Sequence, residues 1–191
     1  MEIRSKAIPL PIDNIDTDQI IPAKFLKQTD RLGYGKNLFY AWRYLADGSP
    51  NPDFELNKPA RKDAEILIAG NNFGCGSSRE HAAWAVAGFG IKVILSTQFA
   101  DIFKGNAYNN GILPIELDDH SIAAITQLVL DQPETEIEVS LLDQLVKVST
   151  LNLEKSFHIS PFKKECLLNG VDETDYLIKL RDQVEQFEQQ R

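Results

Sequence analysis

The sequence predicts an α/β fold in which helices flank a mixed sheet. Residues 66–69 (ILIA) form an apolar run typical of a buried strand, and a glycine-rich loop, an alanine-rich segment and a second apolar run at residues 92–95 follow it. This order is a βαβ unit, whose two strands are parallel. Residues 136–142 and 145–149 alternate apolar and polar side chains on either side of a short turn, which predicts an antiparallel hairpin. Parallel and antiparallel strands are therefore expected in one sheet.

The elements before the hairpin are predicted from apolar spacing and turn residues. They are a strand at residues 3–10, a helix within 38–45, a helix at 99–109, a strand at 113–117 and a helix at 121–130. In the helix within residues 38–45, Leu38, Trp42 and Leu45 are expected to share one face.

Two helices are predicted after the hairpin. Ser160 and Pro161 have the favoured order of a cap residue and a first-turn proline, and Gly170 is a typical helix end. Asp172 is expected to cap a last helix, whose apolar stripe would consist of Leu177, Leu180, Val184 and Phe187. We expect residues 1–191 to form a single domain that ends in this helical extension.

The composition indicates a globular protein that binds neither nucleic acid nor membranes. Of its 191 residues, 43% are hydrophobic and 25% are charged, which is close to the average for packed domains. The net charge of -8 and the pI near 4.9 would repel a phosphate backbone, and no basic stripe occurs. Because there is no apolar run of about eighteen residues and no secretory signal pattern, we expect a cytoplasmic location.

Cysteine and histidine are too few and too scattered for a metal site. Cys75 and Cys166 provide neither a disulfide framework nor the three or four thiolates that hold an iron–sulfur cluster. The histidines lack the close pairing of a zinc site; they are His81, His120 and His158. We therefore expect no metal ligand in this chain.

The glycine-rich loop before the alanine-rich helix is the main candidate for chemistry. Residues 77–80 (SSRE) match the S-x-x-E capping box, so one interpretation is a well-capped helix with Ser77 as the cap residue. The glycines also let backbone amides approach a ligand, and Arg79 adds a fork-shaped cation for a carboxylate. In such surroundings Ser77 can act as a base, because amide donors and the arginine stabilise its alkoxide. Ser78 is a hydrogen-bond donor, and Cys75 is expected to be a packed thiol rather than a nucleophile.

A phosphate or nucleotide is the alternative ligand for this loop. The P-loop pattern G-x-x-x-x-G-K-[ST] is absent, and Arg79 stands where a dinucleotide fingerprint that begins at Gly74 requires a third glycine. A regulatory phosphate-binding module is therefore the weaker hypothesis.

Three motifs resemble the swivel domain of the aconitase superfamily. The most specific is GSSREHAA at residues 76–83, and it is supported by NIDTDQIIP at 14–22 and by FADIFKGNA at 99–107, which NGILP at 110–114 follows. The motifs occur in the family's order and together span residues 13–115. The resemblance implies a swivelling β/β/α domain with a mixed sheet.

Within this superfamily the chain is most similar to the free-standing small subunits of bacterial isopropylmalate hydro-lyases, because Cys75 lies between two glycines where aconitase has an acidic residue. The resemblance implies docking on a large subunit, which supplies three cysteines and a four-iron, four-sulfur cluster. It also implies the interconversion of 2-isopropylmalate and 3-isopropylmalate in leucine biosynthesis, by loss and re-addition of water. The substrate would then be a small dicarboxylate.

The resemblance assigns roles to residues of two motifs. Ser77 matches the base that removes the carbon-bound proton. The positions that bind a substrate carboxylate are matched by Arg79, Ser78 and Thr17. Asp18 matches an aspartate that orients a histidine of the partner chain; as an alternative, it is an Asx-turn residue.

Outside these motifs the resemblance is less specific. Arg31 is a second candidate for carboxylate binding, and it lies in a variable loop, residues 27–34, that is expected to select the substrate. Ala83 departs from the proline of many related small subunits, but the first turn of a helix tolerates either residue, so no functional change is expected.

Two other functions stay open. A related hydro-lyase for homoaconitate, citraconate or a methylated malate would have the same motifs, because one methylene changes binding in a pocket by only about 1–3 kcal/mol. A purely structural subunit would tolerate replacement of Ser77 and Arg79 in the assembled complex.

Overall fold

The computed structural model describes residues 1–28, 30–181, 185, 186 and 188. Within this part of the chain, the strands form a seven-stranded mixed sheet in the order β4-β3-β2-β1-β5-β6-β7. The strands are β1 (Glu2–Leu10), β2 (Ile66–Ala69), β3 (Val93–Ser96), β4 (Leu113–Glu116), β5 (Glu136–Ser140), β6 (Leu145–Val148) and β7 (Leu153–Ser156). Strands β1 to β4 are parallel, and β5 to β7 are antiparallel to their neighbours. The predicted α/β fold with a mixed sheet is confirmed.

The α-helices lie between and after these strands. They are α1 (Thr17–Ile20), α2 (Tyr40–Arg43), α3 (Glu80–Phe89), α4 (Asp101–Asn109), α5 (Asp119–Asp131), α6 (Pro161–Asn169) and α7 (Glu173–Lys179). Short 3-10 turns occur at Ala23–Phe25, Tyr34–Asn37, Glu55–Asn57, Pro59–Arg61 and Ser149–Leu151. The predicted βαβ unit, the hairpin and the helix between Ser160 and Gly170 are confirmed.

Helices cover both faces of the parallel strands. Successive side chains of a strand point to opposite faces, so both sets are buried. In β2, Leu67 and Ala69 belong to a hydrophobic cluster that α3 and α4 cover, whereas Ile66 and Ile68 belong to a second cluster that α5 covers. The continuous apolar run of β2 thus reflects a strand with helices on both sides.

The aromatic segment forms a shorter helix than predicted. Phe39 has φ 48, a left-handed conformation, so α2 begins only at Tyr40 and lasts one turn. Phe39 is fully buried and stacks on Trp42, with ring centroids 5.5 Å apart. Leu38 and Leu45 lie outside α2, so the prediction that they share one helical face with Trp42 is wrong. Leu45 is also 47% exposed.

The 3-10 turn Tyr34–Asn37 holds the aromatic segment against α3 through a close backbone contact. A Cβ atom on Gly35 would lie 2.2 Å from the carbonyl carbon of Gly88, so only glycine allows the turn and the helix to approach this closely.

The C-terminal part agrees with the prediction at its start. The Asp172 side chain accepts a hydrogen bond from the Asp175 amide and caps α7. Leu177 is 62% exposed, so the predicted apolar stripe is not covered there by the described chain. Val184 and Phe187 lie outside the described residues. Strand β7 was missed, because its run LEKS is short and only weakly apolar.

Candidate active site

Three loops meet at the edge of the sheet where the parallel strands β1, β2 and β3 end. The loop after β1 contacts the glycine-rich loop after β2 through backbone hydrogen bonds from Asn14 to Asn71 and from Gly74 to Ile15, both 2.8 Å long. The glycine-rich loop bonds in turn to the loop after β3, where the Ala100 amide donates to the Phe73 carbonyl at 3.0 Å. The carboxyl ends of parallel strands are the usual position of ligand sites in α/β proteins.

The glycine-rich loop follows a path that requires glycine at Gly74. This residue has φ +79, and a Cβ atom on it would lie 2.2 Å from Cγ of Phe103 in α4. The loop therefore rests directly on a buried aromatic ring, and its position relative to α4 is fixed.

Helix α3 begins later than the sequence indicates. Arg79, with φ -141 and ψ 105, is the residue before the first helical one, and no side chain caps the helix. The Glu80 carboxylate does not reach back to Ser77, because it accepts a hydrogen bond from Trp84 Nε1 at 3.0 Å and pairs with Arg31 at 3.2 Å. The predicted capping box of Ser77 and Glu80 is therefore wrong. Ser77 lies in the loop, with its residue exposed to solvent.

A capping box does form one loop away, at the start of α1. The Asp16 side chain accepts from the Gln19 amide, and the Gln19 side chain accepts from the Asp16 amide, both at 2.8 Å. The sequence pattern D-x-x-Q signals this cap as clearly as S-x-x-E signals the other. The difference is that the Glu80 side chain bonds to Trp84 and Arg31 instead.

Arg79 and Asp18 form a bidentate ion pair that joins the glycine-rich loop to the start of α1. Arg79 Nη2 lies 2.8 Å from Asp18 Oδ2, and Nη1 contacts Oδ1. The Arg79 side chain is only 15% exposed, whereas that of Asp18 is 57% exposed. The guanidinium has further N–H groups that this pair does not use, so it can also bind an anion.

Thr17 positions the backbone of the glycine-rich loop. It is buried, its hydroxyl donates to the Ser77 carbonyl at 2.8 Å, and its amide donates to the Cys75 carbonyl at 2.9 Å. Because the hydroxyl hydrogen is used within the chain, Thr17 can offer a ligand only its oxygen lone pairs.

A pocket of about 240 Å³ opens between the glycine-rich loop and α4. It is lined by Thr17, Gly74, Gly76, Ser77, Ser78, Arg79, Ala100, Asp101, Ile102, Phe103 and Asn106. The structure thus brings together four predicted site residues: Thr17, Ser77, Ser78 and Arg79. Asp18 adjoins them through Arg79. The residues from α4 were not predicted as site residues, although the FADIFKGNA motif contains them.

Arg31 does not line this pocket. It is exposed, its guanidinium lies 4.5 Å from the centre of the Trp84 ring, and it pairs with Glu80 on the outer side of α3. The structure therefore places it apart from Ser77 and Arg79. Residue 29 of the same loop lies outside the described residues.

No group of three or more His, Cys, Asp or Glu side chains that could hold a metal ion occurs in the described part of the chain. His81 packs on the Trp84 ring at 4.4 Å, and Cys166 is buried in α6, where burial raises the pKa of its thiol. Cys75 is half-buried, with Sγ 3.4 Å from the Asn14 carbonyl oxygen. These residues do not fit an iron–sulfur cluster. None of the described helices combines the length and the apolar character needed to cross a membrane.

The chain contains a domain of the aconitase type. A family model described as the aconitase C-terminal domain matches residues 1–120, which is more than half of the chain.

Relatives with curated names extend this likeness over nearly the whole length. The 3-isopropylmalate dehydratase small subunit of Cytophaga hutchinsonii is 49% identical over 186 residues, which cover 97% of this chain and 92% of the relative. The protein of the same name from Roseiflexus sp. (strain RS-1) is 47% identical and covers 99% and 92%. A crystal structure described as 3-isopropylmalate dehydratase from Methanocaldococcus jannaschii matches with a TM-score of 0.69 and 28% identity, covering 98% of this chain and 99% of that one. The chain belongs to the family of 3-isopropylmalate dehydratase small subunits.

Proposed function

We propose that this chain assembles with a large subunit into a hydro-lyase that interconverts 2-isopropylmalate and 3-isopropylmalate, a step of leucine biosynthesis. The observation that carries the proposal is that Ser77 and Arg79 line one pocket, at the edge where three parallel strands end. The names of the relatives supply the substrate.

Ser77 is the base of this proposal. Ser77 is exposed, and its backbone carbonyl accepts a hydrogen bond from the Thr17 hydroxyl. The Ser77 hydroxyl makes no hydrogen bond to another described residue. As an alkoxide, which the Arg79 guanidinium at the same pocket would stabilise, Oγ would take the carbon-bound proton next to a substrate carboxylate and become the neutral hydroxyl. Loss of that proton and of the hydroxyl on the neighbouring carbon leaves the alkene, and re-addition of water with the opposite placement gives the isomer.

Arg79 and Ser78 bind a substrate carboxylate in this proposal. The N–H groups of Arg79 that Asp18 does not use would face the anion, and Asp18 keeps the fork oriented. Asp18 is also half exposed, so it can still meet a histidine of the partner chain. Arg31 would join the substrate only if its loop leaves the outer side of α3, where it now pairs with Glu80.

The large subunit completes the site. We propose that it carries a four-iron, four-sulfur cluster, which would polarise the departing hydroxyl, because the described residues of this chain do not fit such a group. The isolated chain is therefore expected to be colourless and inactive. A cytoplasmic location is part of the proposal and is consistent with the biosynthetic enzyme that the relatives' names describe.

Ser77→Ala tests the assignment of the base. The complex with a 3-isopropylmalate dehydratase large subunit is purified under anaerobic conditions, and alkene formation from 3-isopropylmalate is followed spectrophotometrically. Removal of a general base lowers the rate by about 10²–10⁴-fold, so turnover should be almost lost while the complex stays intact. Ser78→Ala, one residue away, should retain much more activity.

Other outcomes separate the alternatives. Full activity of Ser77→Ala would indicate a purely structural subunit. A cluster-loaded wild-type complex that ignores isopropylmalate but dehydrates citraconate or homoaconitate precursors would keep the class and change the substrate. Failure to bind any large subunit would contradict the proposal as a whole.

A further inference from the structure

Helix α4 forms the wall of the pocket that faces the glycine-rich loop. Ile102, Phe103 and Asn106 line the pocket, and their spacing places them on one side of the helix. Two contacts fix this orientation: the Phe103 ring lies under Gly74, and Lys104 on another side pairs with Glu116 at 2.8 Å. The second turn of α4 therefore holds an amide side chain at the same pocket as Ser77 and Arg79.

The Asn106 amide is not used by the rest of the described chain. Its backbone carbonyl accepts a hydrogen bond from Asn110 Nδ2 at 2.8 Å, but its side chain has no hydrogen-bond partner among the described residues. Asparagines in the neighbouring loops differ, since Asn72 bonds to Asn14 and Asn71 to Thr97, both at 2.9 Å. A carboxamide offers two donors and an acceptor, so the Asn106 side chain can bind a ligand without losing an internal contact.

The charged groups at the pocket leave a bound carboxylate short of hydrogen-bond donors. Arg79 already spends part of its fork on Asp18, and Asp101, at the same pocket, would repel an anion. A neutral donor on the opposite wall supplies a hydrogen bond that neither of these groups provides. We propose that Asn106 is a further substrate-binding residue, whose Nδ2 donates to an oxygen of the carboxylate that Arg79 holds. This inference rests on the proposed function.

The test compares Asn106→Ala, Asn106→Asp and Asn109→Ala in the assembled, cluster-loaded complex. Asn109 is a matched control, because it is an exposed asparagine of the same helix that does not line this pocket. Loss of a hydrogen bond to a charged group should raise KM for 3-isopropylmalate by about tenfold or more in Asn106→Ala. Asn106→Asp keeps the shape of the side chain but adds a negative charge, which would repel the substrate carboxylate, so KM should rise further. Asn109→Ala should match the wild type.

The outcomes keep this inference apart from the proposed function. If the wild-type complex turns over isopropylmalate and Asn106→Ala has the same KM, the inference is overturned and the proposed function is not. A lower melting temperature, with Asn106→Asp no worse than Asn106→Ala, would indicate a structural residue and also overturn it. If the wild-type complex does not turn over isopropylmalate, the proposed function fails, and calorimetry of 3-isopropylmalate binding then decides: absent binding, or equal affinity in wild type and Asn106→Ala, overturns the inference too.

Discussion

Helices α5, α6 and α7 begin with a side chain that caps the first turn, whereas α3 and α4 do not. Asp118, Ser160 and Asp172 each accept a hydrogen bond from the backbone amide three residues later. Helices α3 and α4 follow Arg79 and Ala100, and neither residue caps its helix. Among the described helices longer than one turn, the two without a capping side chain are the two whose first turns border the pocket. The one-turn helix α1 also borders it, through Thr17, and is capped by Asp16.

This difference shows how the chain keeps polar groups available at the site. The first amides of a helix have no partner within the helix, and a capping side chain satisfies one of them. At α3 and α4 the first turns are instead held by contacts between segments: the ring of Phe103 under Gly74, and the ion pair of Arg79 with Asp18. Among the longer helices, local capping therefore stabilises α5, α6 and α7, and tertiary contacts stabilise α3 and α4 beside the pocket.

Gly74→Ala should give the largest loss of stability, because it attacks these tertiary contacts. The new methyl group would clash with the Phe103 ring, and the alanine backbone would have to adopt φ +79. Overpacking and a positive φ together should lower the free energy of unfolding by about 2–4 kcal/mol, measured by urea denaturation.

Gly105→Ala is the control for this substitution. Gly105 lies in α4 and does not have a positive φ. A Cβ atom built on it would have no neighbour within 4 Å outside the helix's own backbone. Alanine should raise helix stability there by about 0.5–1 kcal/mol. Equal destabilisation by both substitutions would contradict the close contact between the loop and Phe103.

Ser160→Ala and Ser77→Ala apply one substitution to the two kinds of helix start. The Ser160 hydroxyl accepts from the Lys163 amide, so its loss should cost about 1 kcal/mol and lower the melting temperature by about 2–4 °C. Ser77 caps no helix, so Ser77→Ala should change stability by less than about 0.5 kcal/mol. Thermal melts of both variants measure this, and a drop of equal size at Ser77 would mean that its capping box does form.

The sequence predicts the elements whose signals are local. The apolar run of β2, the alternating hairpin and the cap of Ser160 all appear where expected, because burial on both faces, pleat and capping each leave a short-range pattern. The left-handed turn at Phe39 has no such pattern, since an aromatic residue rarely adopts φ 48. Packing of the aromatic segment on α3 decides that conformation, and packing is not visible in the sequence.

The candidate site could be predicted in part for the same reason. The motifs indicate Ser77 and Arg79, and chain topology brings them to one edge of the sheet. The Glu80 carboxylate, which the S-x-x-E cap needs, instead contacts Trp84 one turn along α3 and Arg31, 49 positions away in the chain. The contact with Arg31 is not visible in the local sequence. Asn106 was missed because an asparagine in a helix has no distinctive signal until a structure shows what it faces.

Asp118→Asn should give the smallest effect, and it separates charge from capping in the helices away from the pocket. The hydrogen bond from Lys155, followed by that from the Ser121 amide, holds the pKa of Asp118 well below its usual range. A depressed pKa contributes stability above the unfolded value of about 4, and this contribution is lost as the pH falls through that value toward the folded pKa. Asparagine caps as well as aspartate but does not titrate, so the urea midpoint of Asp118→Asn should fall less than that of the wild type between pH 7 and pH 3. The difference should be small, because Asp118 and Lys155 are 51% and 41% exposed and solvent screens the pair.

Ser160→Ala is the control for this substitution, because its lost cap has no charge, and it should lower the urea midpoint equally at pH 7 and pH 3. An identical acid response in Asp118→Asn and wild type would mean that the pair with Lys155 adds nothing to the cap.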